Sequence, residues 1–287
     1  MRSVVTGGSC WDHKRKDSGT EGILLNQDKR FRVGILYICT GKYTAFWEDF
    51  YRSFEKNFLK KSDVEYFVFT DADRLYDEEN NTRIHHIRQE NLGWPGNTLF
   101  RFRMFVSIRE QLRDFDYLFF LNANTMCVQE ITEEEFLPGQ QELLVVQHPG
   151  YYRSNVWRMP YERRKESGAR IPRGQGRDYV YGAVNGGTAE AFLKMAQELA
   201  QEIQQDYEKG VIAKWHDESH LNHYVWVYGN YKLLTPAYAY PENYKLPFEK
   251  KIMTQDKGKK IALDQGKLQE LRDKSIRGRL RKLFRLR

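Results

Sequence analysis

The chain has few cysteines and no long apolar segment. Its three cysteines stand far apart, at Cys10, Cys39 and Cys127. They provide neither a disulfide framework nor a CxxC pair, which fits a reducing compartment. No run of eighteen apolar residues occurs, so no membrane-spanning helix is expected, and the N-terminal residues do not resemble a secretory signal. Aromatic residues, in contrast, make up 14% of the chain, which excludes a wholly disordered protein.

The formal net charge of +7 comes from one end of the chain. Residues 274–287 contain seven Lys and Arg and no acidic residue, so the remaining residues sum to zero. A neutral body argues against a nucleic-acid-binding protein, and we expect no nucleic-acid partner. In this tail Ile276, Leu280, Leu283 and Phe284 fall on one helical face. That pattern is typical of adsorption to an anionic membrane, although a solvated tail has the same composition.

Hydrophobic periodicity predicts strands that alternate with helices. Four short apolar runs are typical of buried strands, at residues 32–39, 65–71, 116–121 and 143–146, and residues 84–87 are a further candidate strand. Phenylalanines recur every four residues from Phe46 to Phe58 and predict a helix, as the pattern of residues 98–113 also does. Thr188 and Gly210 bound a longer helix. The alternation predicts an α/β fold with a mostly parallel sheet.

Polar or small residues follow three of the predicted strands, at residues 40–41, 122–124 and 148–150. Ligands bind at the carboxyl ends of strands in such sheets. Asn122 and Asn124 are two residues apart, so on an extended chain both side chains point the same way and offer two amides to one ligand. The alternative is a polar strand end closed by Asx-turns.

The segment WHDESH at residues 215–220 concentrates reactive side chains. Glu218, beside Asp217, has the chemistry of a nucleophile or base. His216, His220 and His223 have the spacing of one helix face, which raises a zinc hypothesis, but the HExxH order is absent. A plain helix start is the structural alternative.

Small residues precede the long helix, in the sequence GAVNGG at residues 182–187. They would let a ligand approach the backbone closely, or they would form a tight turn into the helix. The dinucleotide fingerprint GxGxxG and the P-loop are both absent.

Taken together, these motifs resemble the retaining α-1,3-galactosyl- and N-acetylgalactosaminyltransferases of glycosyltransferase family six, which includes the ABO blood-group transferases and bacterial relatives. The resemblance covers about residues 31–257. Its motifs are YxAF (43–46), YFVFTD (66–71), YLFFLNAN (117–124), HPGY (148–151), YERR (161–164), Ile-Pro (171–172), Gly-Gly (186–187) and WHDESHLN (215–222). It implies a GT-A fold: a single Rossmann-like nucleotide-sugar-binding domain around a mostly parallel sheet.

The resemblance also implies an activity and a site. The enzyme would move galactose or N-acetylgalactosamine from a UDP-sugar, in α-1,3 linkage and with retention, to a galactoside that is often fucosylated. Glu218 would be the catalytic group at the anomeric carbon. The donor would be bound by Ile38, Thr40, Tyr43, Arg101, Asn122, Asn124, Tyr181, Gly182, Ala183, Asp217 and Lys257. The acceptor would be bound by His148, Trp215, His216 and Glu218.

One departure from the animal members concerns the metal. Those members have Asp-x-Asp where this chain has Asn122 and Asn124, and two neutral amides bind a divalent cation poorly. We therefore expect no cofactor and no requirement for Mn²⁺, as in metal-independent bacterial members. Lys257, which has Lys259 and Lys260 as neighbours, and Arg101 would stabilise the leaving UDP instead.

Several alternatives stay open at this point. The donor is UDP-GalNAc if Gly182 and Ala183 leave room at C2, or UDP-Gal if the bulk of Tyr181 closes it. Glu218 either attacks C1 or stabilises an oxocarbenium-like state. Near residues 238–242 the animal members have an acceptor-binding Asp, whereas this chain has Pro-Glu. A UDP-sugar hydrolase and an inactive carbohydrate-binding relative are the alternative functions.

Domain limits and location complete the expectations. We assign residues 1–30 to a flexible leader, 31–265 to the GT-A domain, and 266–287 to a basic amphipathic tail. Animal members carry an N-terminal membrane anchor that this sequence does not show. Together with the basic tail, this predicts a cytoplasmic enzyme that contacts the inner membrane face peripherally.

Overall fold

The computed structural model describes residues 30–261. The predicted leader up to residue 29 and the basic tail lie outside this range, so the domain limits and the membrane-binding face stay predictions. Among the described residues, none of the helices combines the length and apolar character needed to cross a membrane.

The described residues form two sheets and a set of surrounding helices. The strands are β1 (Arg32–Ile38), β2 (Asp63–Thr70), β3 (Ile84–Arg88), β4 (Tyr117–Leu121), β5 (Thr125–Cys127), β6 (Leu143–Gln147), β7 (Val180–Thr188), β8 (Tyr231–Leu234), β9 (Tyr240–Pro241) and β10 (Ile252–Thr254). The α-helices are α1 (Trp47–Asn57), α2 (Gly93–Leu99), α3 (Arg101–Ser107), α4 (Arg109–Leu112), α5 (Glu133–Phe136), α6 (Ala189–Glu208), α7 (Asp217–Tyr228) and α8 (Lys257–Lys260). Two 3-10 helices cover Gly41–Phe46 and Pro236–Ala239.

The central sheet has seven strands in the order β3-β2-β1-β4-β7-β6-β8. All its neighbouring strands are parallel except β7, which runs antiparallel to both β4 and β6. The predicted α/β class, the mostly parallel sheet and the five predicted strands are confirmed. The resulting architecture is that of a GT-A-like fold.

The structure corrects the interpretation of residues 182–187 as a tight turn, because they belong to strand β7. A strand rich in glycine carries little β-propensity, which is why the pattern missed it. The glycines are needed for close packing. A Cβ on Gly186 would lie 2.1 Å from Cδ1 of Phe119, and one on Gly187 would lie 2.2 Å from the carbonyl oxygen of Glu142.

The helices follow the predicted pattern with one exception. Thr188 caps α6 by accepting a hydrogen bond from the Ala191 N–H, and Gly210 follows the helix with φ of 71°. The predicted helix at residues 98–113 is divided into separate short helices, because the backbone leaves the helical region at Phe100 and Ile108. Tertiary packing here overrides the local helical pattern. The break places Arg101 at the first position of α3.

Strand direction brings distant segments to one edge of the sheet. The carboxyl ends of β1, β4 and β6 share this edge, and because β7 runs in the opposite direction its first residues lie there too. In the smaller sheet, β10 pairs with β5 and leads into α8. The chain after β10 thereby returns to the residues that follow β4.

Candidate active site

The carboxyl group of Glu218 is held at the first turn of α7 by strand β7 and the residue before it. Its Oε1 accepts a hydrogen bond from the Tyr179 hydroxyl at 2.8 Å, and its Oε2 accepts one from the Gly182 N–H at 2.9 Å. Burial raises the pKa of Glu218 to about 7, against the two hydrogen bonds, which lower it. The carboxyl group is therefore fixed in direction, and its burial favours the protonated form.

Arg101 and Asp217 form a buried ion pair next to Glu218. Arg101 Nε lies 2.7 Å from Oδ2 of Asp217, and Arg101 Nη1 donates to the Gly182 carbonyl at 2.9 Å. Burial raises the pKa of Asp217 to about 6, although Arg101 opposes the shift. The guanidinium thus ties α3, β7 and the start of α7 together. It also lies 4.5 Å from the centre of the Phe120 ring.

Asn122 and Asn124 lie side by side, as their spacing predicts. Asn122 Nδ2 donates to Asn124 Oδ1 at 3.0 Å, and Asn124 Nδ2 donates to the Gln255 carbonyl at 2.7 Å. The backbone N–H of Asn122 also donates to the carbonyl of Ala183 at 2.9 Å. The amides therefore bind each other and the segment after β10.

These two amides differ from the ligands that a divalent cation prefers. A divalent metal of the Mn²⁺ type prefers anionic oxygen ligands, whereas here one amide oxygen accepts from the neighbouring amide and no carboxylate takes part. Across residues 30–261, no group of three His, Cys, Asp or Glu side chains is arranged to hold a metal ion.

Three lysines lie in α8, and their partners differ. Lys259 Nζ lies 2.7 Å from a carboxylate oxygen of Glu242, and Lys260 pairs with Asp49. Lys257 has no carboxylate partner within residues 30–261, and its Nζ lies 5.2 Å from the centre of the Tyr43 ring. Burial and the nearby positive charge of Arg101 lower the pKa of Lys257. It is the lysine of the three that can serve an anionic ligand.

Glu242, in the Pro-Glu sequence that replaces the acceptor-binding Asp of the animal members, has a structural role here. Besides pairing with Lys259, the Glu242 carboxylate accepts a hydrogen bond from the backbone N–H of Asp256 at 2.8 Å. Glu242 therefore holds the segment that carries Lys257.

His148, one of the predicted acceptor residues, belongs to an aromatic wall near Glu218. The ring of His148 contacts those of Tyr151, Tyr179 and Tyr181, with centroid distances of 4.9, 5.5 and 4.7 Å. Burial lowers the pKa of His148 to about 4, and its Nδ1 accepts from the Gly150 N–H at 3.0 Å. The imidazole is therefore neutral at physiological pH and leaves Nε2 for a ligand.

Trp215 and His216 lie on the outer side of the same region. Trp215 is 45% exposed, which suits a platform for a sugar ring. The ring of His216 packs edge-on against Trp94 at a centroid distance of 5.3 Å. Its backbone adopts a positive φ of 53° immediately before α7, so the chain turns sharply into the helix.

Three of the predicted donor-binding residues, Ile38, Thr40 and Tyr43, lie at the end of β1 and in the segment that follows it. Ile38 is the last residue of that strand and packs against the apolar core. Thr40 is buried, and its carbonyl accepts from the Tyr43 N–H at 3.2 Å. Gly41, with φ of 55°, donates its N–H to Asp71 at 2.7 Å, which ties this loop to the end of β2.

The zinc hypothesis is not supported by the positions of the histidines. His220 is buried and its Nδ1 lies 2.5 Å from Oε1 of Glu202, while His223 Nδ1 lies 3.7 Å from the other oxygen of Glu202. His216 instead contacts Trp94. His220 and Glu202 join α7 to α6.

Three residues outside the predicted set shape the site. Tyr179 holds Glu218, as described above. The Asn222 amide accepts from the Val180 N–H and donates to the carbonyls of Val180 and Glu218. Glu162, in the YERR motif, accepts from the Lys214 N–H at 2.8 Å and so holds the segment before α7. The i, i+4 spacing of Asn222 from Glu218 was an available signal, whereas Tyr179 has none in the sequence.

The fold is that of a GT-A-like single domain, and the candidate residues converge on the carboxyl edge of its mostly parallel sheet, where ligands bind in such folds. Residues 21–262 match glycosyltransferase family 6. The O-antigen biosynthesis glycosyltransferase WbnI of Escherichia coli is 37% identical over 225 residues, which cover 78% of this chain and 94% of that protein. The chain belongs to glycosyltransferase family 6.

Animal relatives match a similar share of the chain. The globoside alpha-1,3-N-acetylgalactosaminyltransferase 1 of Gallus gallus is 31% identical over 224 residues, which cover 76% of this chain and 64% of that protein. The histo-blood group ABO system transferase 2 of Rattus norvegicus is 30% identical over 227 residues, covering 76% and 67% respectively. This chain thus spans about two thirds of the length of these animal relatives.

Proposed function

We propose that the protein transfers N-acetylgalactosamine or galactose from a UDP-sugar to a galactoside acceptor, in α-1,3 linkage and with retention, without a metal ion. Glu218 is the group at the anomeric carbon. Its carboxylate is aimed by Tyr179 and Gly182 from two sides, which is the geometric precision that a group facing a reacting carbon needs. The names of the relatives agree with transfer to a glycan.

The observation that carries the metal-free proposal is the state of Lys257. Departure of UDP places negative charge on the diphosphate, and a catalyst must stabilise that charge. Lys257 is a partly buried cation without a carboxylate partner within residues 30–261, whereas Lys259 and Lys260 are already paired. Arg101 is close enough to add to the positive field, but Asp217 offsets much of its charge.

The decisive experiment measures UDP release from UDP-GalNAc and UDP-Gal with 2′-fucosyllactose, in EDTA and again with Mn²⁺. Acceptor-dependent turnover that EDTA leaves unchanged supports the proposal and identifies the donor. Activity that requires Mn²⁺ contradicts the metal-free part. UDP release that is independent of acceptor indicates a UDP-sugar hydrolase, and donor binding without turnover indicates an inactive carbohydrate-binding relative.

Donor choice depends on strand β7. Gly182 and Ala183 leave space where a larger side chain would fill it, and a Cβ on Gly182 would already lie 3.3 Å from Cβ of Glu218. Tyr181 lies beside this space and contacts His148. We favour UDP-GalNAc as donor on this basis.

The basic tail provides the proposed membrane contact. The seven positive charges of residues 274–287 would hold a cytoplasmic enzyme peripherally at the anionic face of the inner membrane. A chain that ends at Asp273 should then lose binding to anionic vesicles, and unchanged vesicle binding contradicts this role.

A further inference from the structure

The connection between α6 and α7 carries two of the proposed acceptor residues. Residues 209–216 lie outside both helices, and Trp215 and His216 are its last two residues. The side chain of Trp215 is about half exposed, so contacts of its ring leave much of it in solvent. An exposed connection keeps one conformation when other segments bind its backbone. The place of Trp215 therefore depends on the groups that bind residues 209–216.

Glu162, in the YERR motif, binds this backbone from a distant part of the chain. Its side chain is 3% exposed. Its Oε2 accepts hydrogen bonds from the Lys214 N–H at 2.8 Å and from Arg164 Nη2 at 2.7 Å. Its Oε1 accepts from the backbone N–H groups of Arg163 and Arg164, each at 2.8 Å. All these neighbours are donors, so this position needs an acceptor at both oxygens, which a carboxylate provides.

The same contacts keep Glu162 ionised. Burial raises the pKa of its carboxyl group, but hydrogen bonds from Arg164 and from the backbone outweigh burial and lower the pKa to about 2. Arg164 also donates to the carbonyl of Ile212. The ion pair of Glu162 and Arg164 thus binds the connection at two points, Ile212 and Lys214, immediately before Trp215.

Helix α7 binds the connection from the other end. The Trp215 N–H donates to the hydroxyl of Ser219 at 3.0 Å, and Ser219 is buried. The Nζ of Lys214 lies 5.9 Å from the centre of the Trp215 ring. Trp215 therefore lies between a point fixed by Glu162 and a point fixed by Ser219.

The carboxyl group of Glu218 is held by different groups. Its partners are the Tyr179 hydroxyl and the Gly182 N–H, which belong to β7 and the residue before it. Loss of the Glu162–Arg164 pair should consequently displace Trp215 more than Glu218.

We infer that Glu162 and Arg164 are positioning residues for the acceptor. They hold the connection so that Trp215 and His216 stay where the acceptor sugar binds. The pair thereby acts on the affinity for the acceptor and leaves the reaction at the anomeric carbon largely to Glu218. This inference rests on the proposed function, because it requires that Trp215 contacts the acceptor.

The first test compares the acceptor and donor constants of Arg164→Gln. The Arg164 side chain is about half exposed, so this variant should fold. We expect the KM for 2′-fucosyllactose to rise roughly 10-fold, while the donor KM and kcat change less than about twofold. The matched control is Lys165→Gln, which removes one positive charge at the next, exposed residue and should keep the wild-type constants.

Glu162→Gln tests the other member of the pair. It places an amide NH₂ against a surrounding donor, so the acceptor KM should rise at least as much as in Arg164→Gln. Glu166→Gln makes the same chemical change at an exposed residue of the same segment and should have no effect.

A double-variant cycle separates positioning from general support of the fold. In Trp215→Ala the acceptor has lost the residue through which the pair acts. Addition of Arg164→Gln should then lower kcat/KM for the acceptor little further. Additive effects of the two substitutions, equal rises of the acceptor and donor KM, or wild-type constants in Arg164→Gln would overturn the inference.

Hydrogen exchange distinguishes a failure of this inference from a failure of the proposed function. Amide exchange in residues 211–217, followed by mass spectrometry, should be faster in Arg164→Gln than in Lys165→Gln. Unchanged exchange in an active transferase overturns the inference alone. Faster exchange in a protein whose wild type transfers to no acceptor means that the proposed function fails, and the acceptor role of the pair fails with it.

Discussion

The Tyr179 hydroxyl donates a 2.8 Å hydrogen bond to Glu218, which lies 39 residues further along the chain. Tyr179 immediately precedes β7, and Glu218 is in the first turn of α7. The bond stabilises the carboxylate form of Glu218, whereas burial favours the protonated form and raises the pKa to about 7. Tyr179 is therefore a positioning residue that also adjusts the ionisation of the proposed catalytic group.

Replacement of Tyr179 by Phe tests this role. Loss of one hydrogen bond to a carboxylate should raise the pKa of Glu218 by about one further unit. We take the ionised form of Glu218 to be the active one, so kcat/KM of the variant should rise at a higher pH than kcat/KM of the wild type. The variant should have a roughly tenfold lower kcat/KM below pH 7 and nearly the wild-type value at pH 9. The control is Tyr161→Phe, because the hydroxyl of this neighbouring tyrosine donates to the Asp178 carbonyl and not to Glu218. A loss of kcat/KM in the Tyr179 variant that does not depend on pH would contradict this role of Tyr179.

Replacement of Glu218 by Gln should lower transfer by at least ~100-fold, since it removes the charge at the reaction centre. The same variant has a stability signature. The folded-state pKa of about 7 lies above the unfolded value, so the wild type loses stability as pH rises from about 4 through 7. Gln does not ionise, and the Tm of the variant relative to wild type should be higher at pH 8 than at pH 4. A kcat of the Glu218→Gln variant close to that of the wild type would show that Glu218 is not the catalytic group.

Replacement of Lys257 by Met should weaken UDP-sugar binding. A charge-assisted contact with the diphosphate is worth about 1.5–3 kcal/mol, so KM for the donor should rise roughly 10- to 100-fold. Lys245→Met removes an exposed charge from the same part of the chain and should change KM little. An equal rise in the donor KM of both variants, measured by steady-state kinetics, would mean that the net charge of the protein affects donor binding and that Lys257 has no specific contact.

Replacement of Asn222 by Ala should destabilise the fold. The amide satisfies the Val180 N–H and carbonyl and the Glu218 carbonyl, all at 2.8–2.9 Å. Without it, buried backbone groups lose their partners, and we expect a loss of about 2–4 kcal/mol in the free energy of unfolding by urea. Asn230→Ala, which removes an exposed amide, should cost under ~0.5 kcal/mol. A similarly small cost at Asn222 would show that water replaces its bonds.

Much of the scaffold could be predicted from the sequence. Apolar runs and phenylalanine spacing located the strands and α1, because a buried face imposes its own period on the residues. Strand β7 was not predicted, because its glycines are required by close packing against Phe119 and Glu142 rather than by strand propensity. The division of the helix at residues 98–113 was not predicted either, because Arg101 contacts Asp217 and Gly182, which are distant in the sequence.

Part of the candidate site could be predicted from the sequence, and part could not. The adjacent Asn122 and Asn124 could be paired from their spacing alone, and their hydrogen bond confirms it. Nothing local distinguished Lys257 from its neighbours. Only the positions of Glu242 and Asp49 show that Lys259 and Lys260 are occupied.

The sequence by itself determined the α/β class, the strand ends and the motif that carries Glu218, because each depends on residues close together in the chain. Only the tertiary structure decided which group holds Glu218 in position and which lysine of α8 is left for an anion. Those relationships depend on strand order and on the reversed direction of β7. These bring residues that are tens of positions apart within hydrogen-bonding distance.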